Sequence, residues 1–128
     1  MSYTISREDN YCLIAVQPGP FDKAEKDKMV IDAHKALRDL PWVILDMSKV
    51  VKLEELELAA VKGIKASALK FNGGMILACL NKELVKTMKS FDKEVICLPT
   101  VAESIDYVFM EQLENDFDDD DDSYGDDY

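Results

Sequence analysis

Trp42-Val43-Ile44-Leu45-Asp46-Met47-Ser48, followed closely by Glu54-Glu55-Leu56-Glu57, is the stretch that decides the fold. Apolar residues occupy both alternating positions from Trp42 to Met47, so a strand here must be covered on both faces, as parallel strands are. Its exception is Asp46. A carboxylate near the C-terminal end of a central strand serves either as a functional group or as an acceptor for loop amides. Beyond it, Leu56, Ala60, Ile64, Ala68 and Phe71 recur at helical spacing, which predicts a helix over about Glu54–Lys70 with those residues toward the sheet. Leu58 and Leu69 then fall on the opposite side, beside Lys62 and Lys65. They are either an exposed docking surface or ordinary scattered apolar residues.

Towards the N-terminus, Tyr3–Ser6 and Tyr11–Val16 are short runs of aromatic and branched residues around the polar turn Arg7-Glu8-Asp9-Asn10, a hairpin pattern. Pro18-Gly19-Pro20 ends the second run, since proline lacks the ladder donor. Asp22–Leu40 reads as a helix, with Met29, Ala33, Ala36, Leu37 and Leu40 on one stripe and Pro41 as its stop.

Towards the C-terminus, Asn72-Gly73-Gly74 is a turn and Met75–Leu80 a second buried strand. Asn81 can cap a short helix, Lys82–Ser90, whose apolar side is Leu84, Val85 and Met88. Glu94–Leu98 makes another strand. Thr100-Val101-Ala102-Glu103 has capping-box spacing, and Val101, Ile105, Val108, Phe109 and Leu113 continue as an amphipathic final helix. The expected class is α/β, in the order β-β-α-β-α-β-α-β-α, with a mostly parallel mixed sheet packed by helices.

The chain has 128 residues, 48% of them apolar, enough for one domain with its own core. Its formal charge of −11 is unevenly placed. Residues 114–128 hold nine carboxylates and no basic residue, leaving 17 acids against 15 bases elsewhere. The expected division is therefore a domain over 1–113 and a disordered acidic tail over 114–128. That tail is either a solubilising extension or a contact for a basic partner, with Phe117, Tyr124 and Tyr128 as anchors. It lacks the glycine and terminal glutamate of a calcium loop. A dense acidic run repels phosphates, so nucleic acid is not an expected partner.

Cys12, Cys79 and Cys97 are odd in number and lie in apolar runs, which fits reduced thiols in a cytoplasmic protein. No apolar run is long enough for a membrane span, and the N-terminal residues lack a secretory pattern. Neither a dinucleotide fingerprint, a phosphate-binding glycine loop nor a metal-ligand spacing occurs, so neither catalysis nor a cofactor or metal is expected. His34, the single histidine, sits mid-helix among lysines and alanines and reads as solvated.

Several of these segments, in this order, resemble the STAS domain, the fold of bacterial anti-sigma factor antagonists. The likeness covers about residues 2–113. Gly19-Pro20-Phe21-Asp22 is similar to the family's Gly-x-apolar-Asp segment before the first helix. Val43-Ile44-Leu45-Asp46-Met47-Ser48-Lys49-Val50 is similar to its central strand, Val-Val-Leu-Asp-Leu-Ser-Gly-Val. Asn72-Gly73-Gly74 with Met75–Leu80, and Leu98-Pro99-Thr100-Val101-Ala102-Glu103-Ser104-Ile105, resemble its glycine turn with fourth strand and its entry to the last helix.

Family members that act as phospho-switches carry Asp-Ser-Ser-Gly at the start of the second helix. Those positions fall here on Glu54, Glu55, Leu56 and Glu57, and no Ser or Thr lies between Val50 and Lys65. The resemblance implies Glu55 where relatives are phosphorylated, a permanent −1 charge against about −1.5 to −2 for a phosphoserine. An acid in the first helical turn also simply favours the macrodipole. The implied role is binding an anti-sigma factor or a related kinase or regulator, through Glu54, Glu55, Glu57, Leu58, Lys62 and Lys65. The implied alternative is a scaffold or assembly subunit of a larger signalling or lipid-transport complex, with homo-oligomerisation left open.

Overall fold

A computed structural model describes the backbone of residues 2–17 and 22–125, and the side chains of 3–17 and 22–113. The elements are β1 (Ser2–Arg7), β2 (Cys12–Gln17), α1 (Lys23–Leu37), β3 (Trp42–Asp46), α2 (Glu55–Lys70), β4 (Gly74–Ala78), α3 (Lys82–Phe91), β5 (Ile96–Leu98) and α4 (Val101–Gly125). The order is the one the sequence pattern predicts. The strands form one sheet, β1-β2-β3-β4-β5, in which β1 and β2 are antiparallel and every later pair is parallel. The expected end of β2 at Pro18-Gly19-Pro20, and the family-like residues Gly19–Phe21, lie outside the described residues.

The two-sided cover demanded by the central strands is met by three layers. Val43 and Leu45 of β3, and Met75 and Leu77 of β4, join Cys12, Ile14 and Val16 in a core shared with α1, α2 and α3. Trp42, Ile44, Ile76 and Ala78 point the other way, into a smaller core closed by Val108 of α4. Each fully buried Leu, Ile or Val contributes about 1.5–3 kcal/mol, so these strands anchor the domain.

Local signals set the helix starts. Asp22 Oδ1 accepts from Glu25 N at 2.8 Å and Asn81 Oδ1 from Leu84 N at 2.9 Å. Thr100 Oγ1 accepts from Glu103 N at 3.1 Å, so the last helix begins at the expected cap. Two details of that helix depart from the pattern. Phe109 and Leu113 are 45% and 50% exposed, although their spacing matches Val101 and Ile105. The core under α4 reaches only to Val108 because the strands it covers are three to six residues long, and the stripe outlasts them. The α4 backbone also continues to Gly125, past the point where the apolar pattern stops.

His34 is not solvated: its Nδ1 and Ser67 Oγ are 2.9 Å apart across the α1–α2 contact, and its ring lies 5.0 Å from that of Phe71. Its neighbours along the chain are polar, but the face it occupies meets α2. On the other flank of α1, the Tyr3 hydroxyl donates to Asp32 Oδ2 at 2.6 Å and ties the edge strand down.

The turn into β4 leaves no room for a side chain. Asn72 takes φ 66°, and Gly73 N donates back to Ala68 O at 2.8 Å, closing the end of α2. A Cβ on Gly73 would stand 1.8 Å from the Pro41 carbonyl oxygen, so only backbone movement could admit it.

Gly73→Ala should therefore destabilise the domain, at the upper end of about 1–3 kcal/mol, read from urea unfolding midpoints. A second expectation concerns alkaline pH. Burial, then the hydrogen bond to Asp32 and that residue's charge, push the Tyr3 phenol from 10.0 to about 12. Folding thus favours the neutral phenol, and this contribution is complete below pH 10 and is lost as pH rises towards 12. Tyr3→Phe should flatten the wild-type fall in stability across that window.

Candidate functional site

The parallel strands β2, β3 and β4 end together at one edge, and the β3–α2 loop crosses it. Asp46 closes β3: its Oδ1 accepts from Ser48 N at 3.1 Å, the loop-amide role considered for it. Met47 N donates to Ala78 O at 2.9 Å and Val50 N to Met47 O at 3.0 Å, which turns the chain outward. Lys49 Nζ reaches Gln17 Oε1 at 3.4 Å and fastens the loop to the end of β2. Leu53 packs against the main core, whereas Val51 is 80% exposed. No periodicity marks Val51, because a loop has none.

Glu54 is the N-cap of α2, with extended backbone and no side-chain capping bond. Its carbonyl accepts from Leu58 N at 3.0 Å, while its carboxylate pairs with Lys52 at 3.3 Å. Glutamate is a poor cap, since Ser, Thr, Asp and Asn reach the orphan amides better. The first turn therefore holds Glu54 and Glu55 exposed at the lip.

The structure divides the six residues singled out from the sequence. Glu54, Glu55 and Lys62 are exposed, and Glu55, Ala59, Lys62, Ala66 and Leu69 share the one solvent-facing strip of α2. Leu58, expected to be exposed beside lysines, is half-buried and packs against the main core. Lys65 is also half-buried, paired with Asp92 at the C-cap of α3. Lys65 pulls the Asp92 carboxyl below its usual range by its hydrogen bond, helped by the Glu94 amide. Glu57 turns inward, lining a crevice with Met47, Val50 and Val61. The reason for the split is lateral packing. A helical wheel separates sheet side from solvent side, but α1 also lies along one flank of α2 and the C-cap of α3 reaches it through Lys65.

The crevice under the first turn measures about 10 Å³, room for one water at most. Among the described residues, the crevice under this turn therefore offers no ligand-sized space. Burial, then the Asp46 charge, push the nearby Cys79 thiol up, opposed by the Val101 backbone and aided to a lesser extent by the hydrogen bond to Asp46. Cys79 also takes φ 68°, a conformation that no sequence signal foretold. Burial likewise raises Cys12 and Cys97, and all three cysteines are free. Among the described residues no three His, Cys, Asp or Glu side chains converge as metal ligands do.

No family model and no curated protein sequence matches this chain. Solved structures do. An anti-sigma factor antagonist from Mycobacterium paratuberculosis superposes with TM-score 0.65 at 17% identity, over 84% of this chain and 92% of its own. The Bacillus cell fate determinant SpoIIAA in its phosphorylated form gives 0.67 at 14%, over 84% and 99%. A chain from the stressosome, described as a signal integration and transduction hub, gives 0.65 at 13%, over 85% and 98%. The chain thus has the STAS fold, that of the anti-sigma factor antagonists, as its residue pattern implied. At these identities the likeness establishes architecture alone.

Replacing Glu54 with a competent cap tests whether the lip is tuned for helix stability. Glu54→Ser should raise stability by about 0.5–1 kcal/mol, visible as a higher urea midpoint.

Proposed function

We propose that this protein is a non-catalytic regulatory module of the anti-sigma factor antagonist type, which binds a partner protein through the β3–α2 lip. The observation that carries this reading is the exposed, uncapped acidic turn of α2 on a STAS fold, with Val51 beside it and no ligand-sized space beneath. The partner is an anti-sigma factor or a related serine-kinase-type regulator. Glu55 stands for the phosphoserine position, so the module carries its charge permanently and is not switched by phosphorylation there. Val51, Glu54, Glu55 and Lys62 make the contact directly. Glu57, Leu58 and Lys65 support it by fixing the helix. We place the domain at 1–113, with 114–128 as an acidic tail. We place the protein in the bacterial cytoplasm; no described helix is long and apolar enough to cross a membrane.

A second reading, a scaffold subunit of a larger signalling assembly, is favoured by the match to a stressosome chain. Native mass spectrometry from about 500 mM ammonium acetate, where weak surface ion pairs are screened, separates the two: a scaffold subunit keeps a large homo-oligomer there and a simple antagonist does not.

Affinity capture from the native host with wild type beside Glu55→Lys tests the first reading. Wild type should retain a sigma-factor regulator or an ATPase-fold kinase, and the variant should retain at least about tenfold less. The variant loses only about 0.3–1 kcal/mol of helix stability, so it should remain folded. Equal capture by both proteins would remove the lip from the interface.

A further inference from the structure

The exposed side of α3 is a lysine stripe that the reading above does not use. Lys82, Lys86 and Lys89 recur at helical spacing, Lys93 lies in the turn just past the helix, and all four are exposed. Leu84 and Met88 face the core, which leaves the stripe pointing to solvent. Lys89 donates to Val95 O at 3.0 Å, and among the described residues Lys82, Lys86 and Lys93 enter no ion pair. Glu83 is the only acid of the helix. A concentrated basic face is unexpected on a chain of formal charge −11.

The same chain carries its complement. Residues 114–128 hold nine carboxylates, five of them consecutive at 118–122, and no basic residue. We propose that the lysine face of α3 docks the acidic segment 114–128 of a second copy of this chain. The sheet decides between one's own segment and another's. The core joins α3 to α1 and α2 on one face, whereas α4 covers the opposite face. The α4 helix then runs on to Gly125, and at about 1.5 Å per residue its last twelve residues travel about 18 Å beyond Leu113. The acidic segment therefore starts on the face of the sheet opposite the chain's own α3.

Each copy carries both halves of the contact, so it builds pairs that exchange segments, rings or open chains. Its strength rests on many weak pairs. Single exposed ion pairs give at most about 1 kcal/mol, and they are screened as the Debye length falls from about 10 Å at 0.1 M salt to about 3 Å at 1 M. Association through this face is thus modest and strongly salt-dependent. It is independent of the β3–α2 lip, so either reading can fail alone.

Sedimentation velocity of the full-length chain over a concentration series tests it. At about 50 mM salt the wild type should associate with rising concentration, and at about 500 mM at least about tenfold more weakly. The K82E/K86E/K93E variant, changed only at exposed positions and checked by circular dichroism, should stay monomeric. A D118K/D119K/D120K variant should also stay monomeric, and mixing the two should restore association, because each supplies the other's complement. A synthetic peptide of residues 114–128 should dissociate the wild-type assemblies. A monomeric wild type at low salt, or association unchanged in the lysine variant, would overturn the proposal. So would failure of the peptide to compete while phosphatidylserine vesicles bind wild type but not the lysine variant, which would make the stripe a membrane face.

Discussion

Burial of β3 and β4 on both faces is the constraint from which the rest of the architecture follows. Val43, Ile44, Leu45, Ile76 and Leu77 are wholly excluded from solvent, so neither face of the sheet can be left to water. Three helices cover one face and a single helix the other, which makes the second cover thin. Trp42 compensates by spreading over that side, its ring 6.3 Å from that of Tyr107 in an edge-on contact. Gly74 is glycine because the Trp42 ring lies where its Cβ would go, at 2.6 Å. One large side chain and one missing side chain thus close the smaller core together.

The same constraint places the candidate site. Parallel pairing of β3 with β4 requires a crossover helix, and α2 must start at the C-terminal edge of the sheet. Its flanks are then occupied, by α1 through His34 and Ser67 and by the α3 C-cap through Lys65 and Asp92. What remains accessible is one strip headed by Glu55. The charge at its start does little for helix capping, since the Glu54 carboxylate turns to Lys52. The first turn thus forgoes the stabilisation that a Ser, Thr, Asp or Asn cap would supply.

Much of this was legible in the sequence. The continuous apolar character of Trp42–Leu45 announced a doubly covered strand, and Asn81 and Thr100 announced helix starts, because both signals act through neighbours along the chain. Of the six residues singled out around the start of α2, the exposure of Glu54, Glu55 and Lys62 was legible and that of the others was not. Leu58, Glu57 and Lys65 left the predicted surface, and Val51 and Ala59 entered it, for reasons lying in helices and loops far away in sequence. His34 shows the same limit: its local surroundings are polar, and its partner Ser67 is 33 positions on.

The amino-acid order by itself determined the succession of strands and helices, the faces of the central strands and the segregation of acid into residues 114–128. These depend on periodicity, capping and composition, which operate over a few residues. Only the tertiary structure decided which part of α2 meets solvent, that Cys79 sits against Asp46 with a raised thiol, and that α3 and α4 cover opposite faces of the sheet. Those outcomes depend on which elements lie side by side, and that is set by the packing of the whole core rather than by any one stretch of chain.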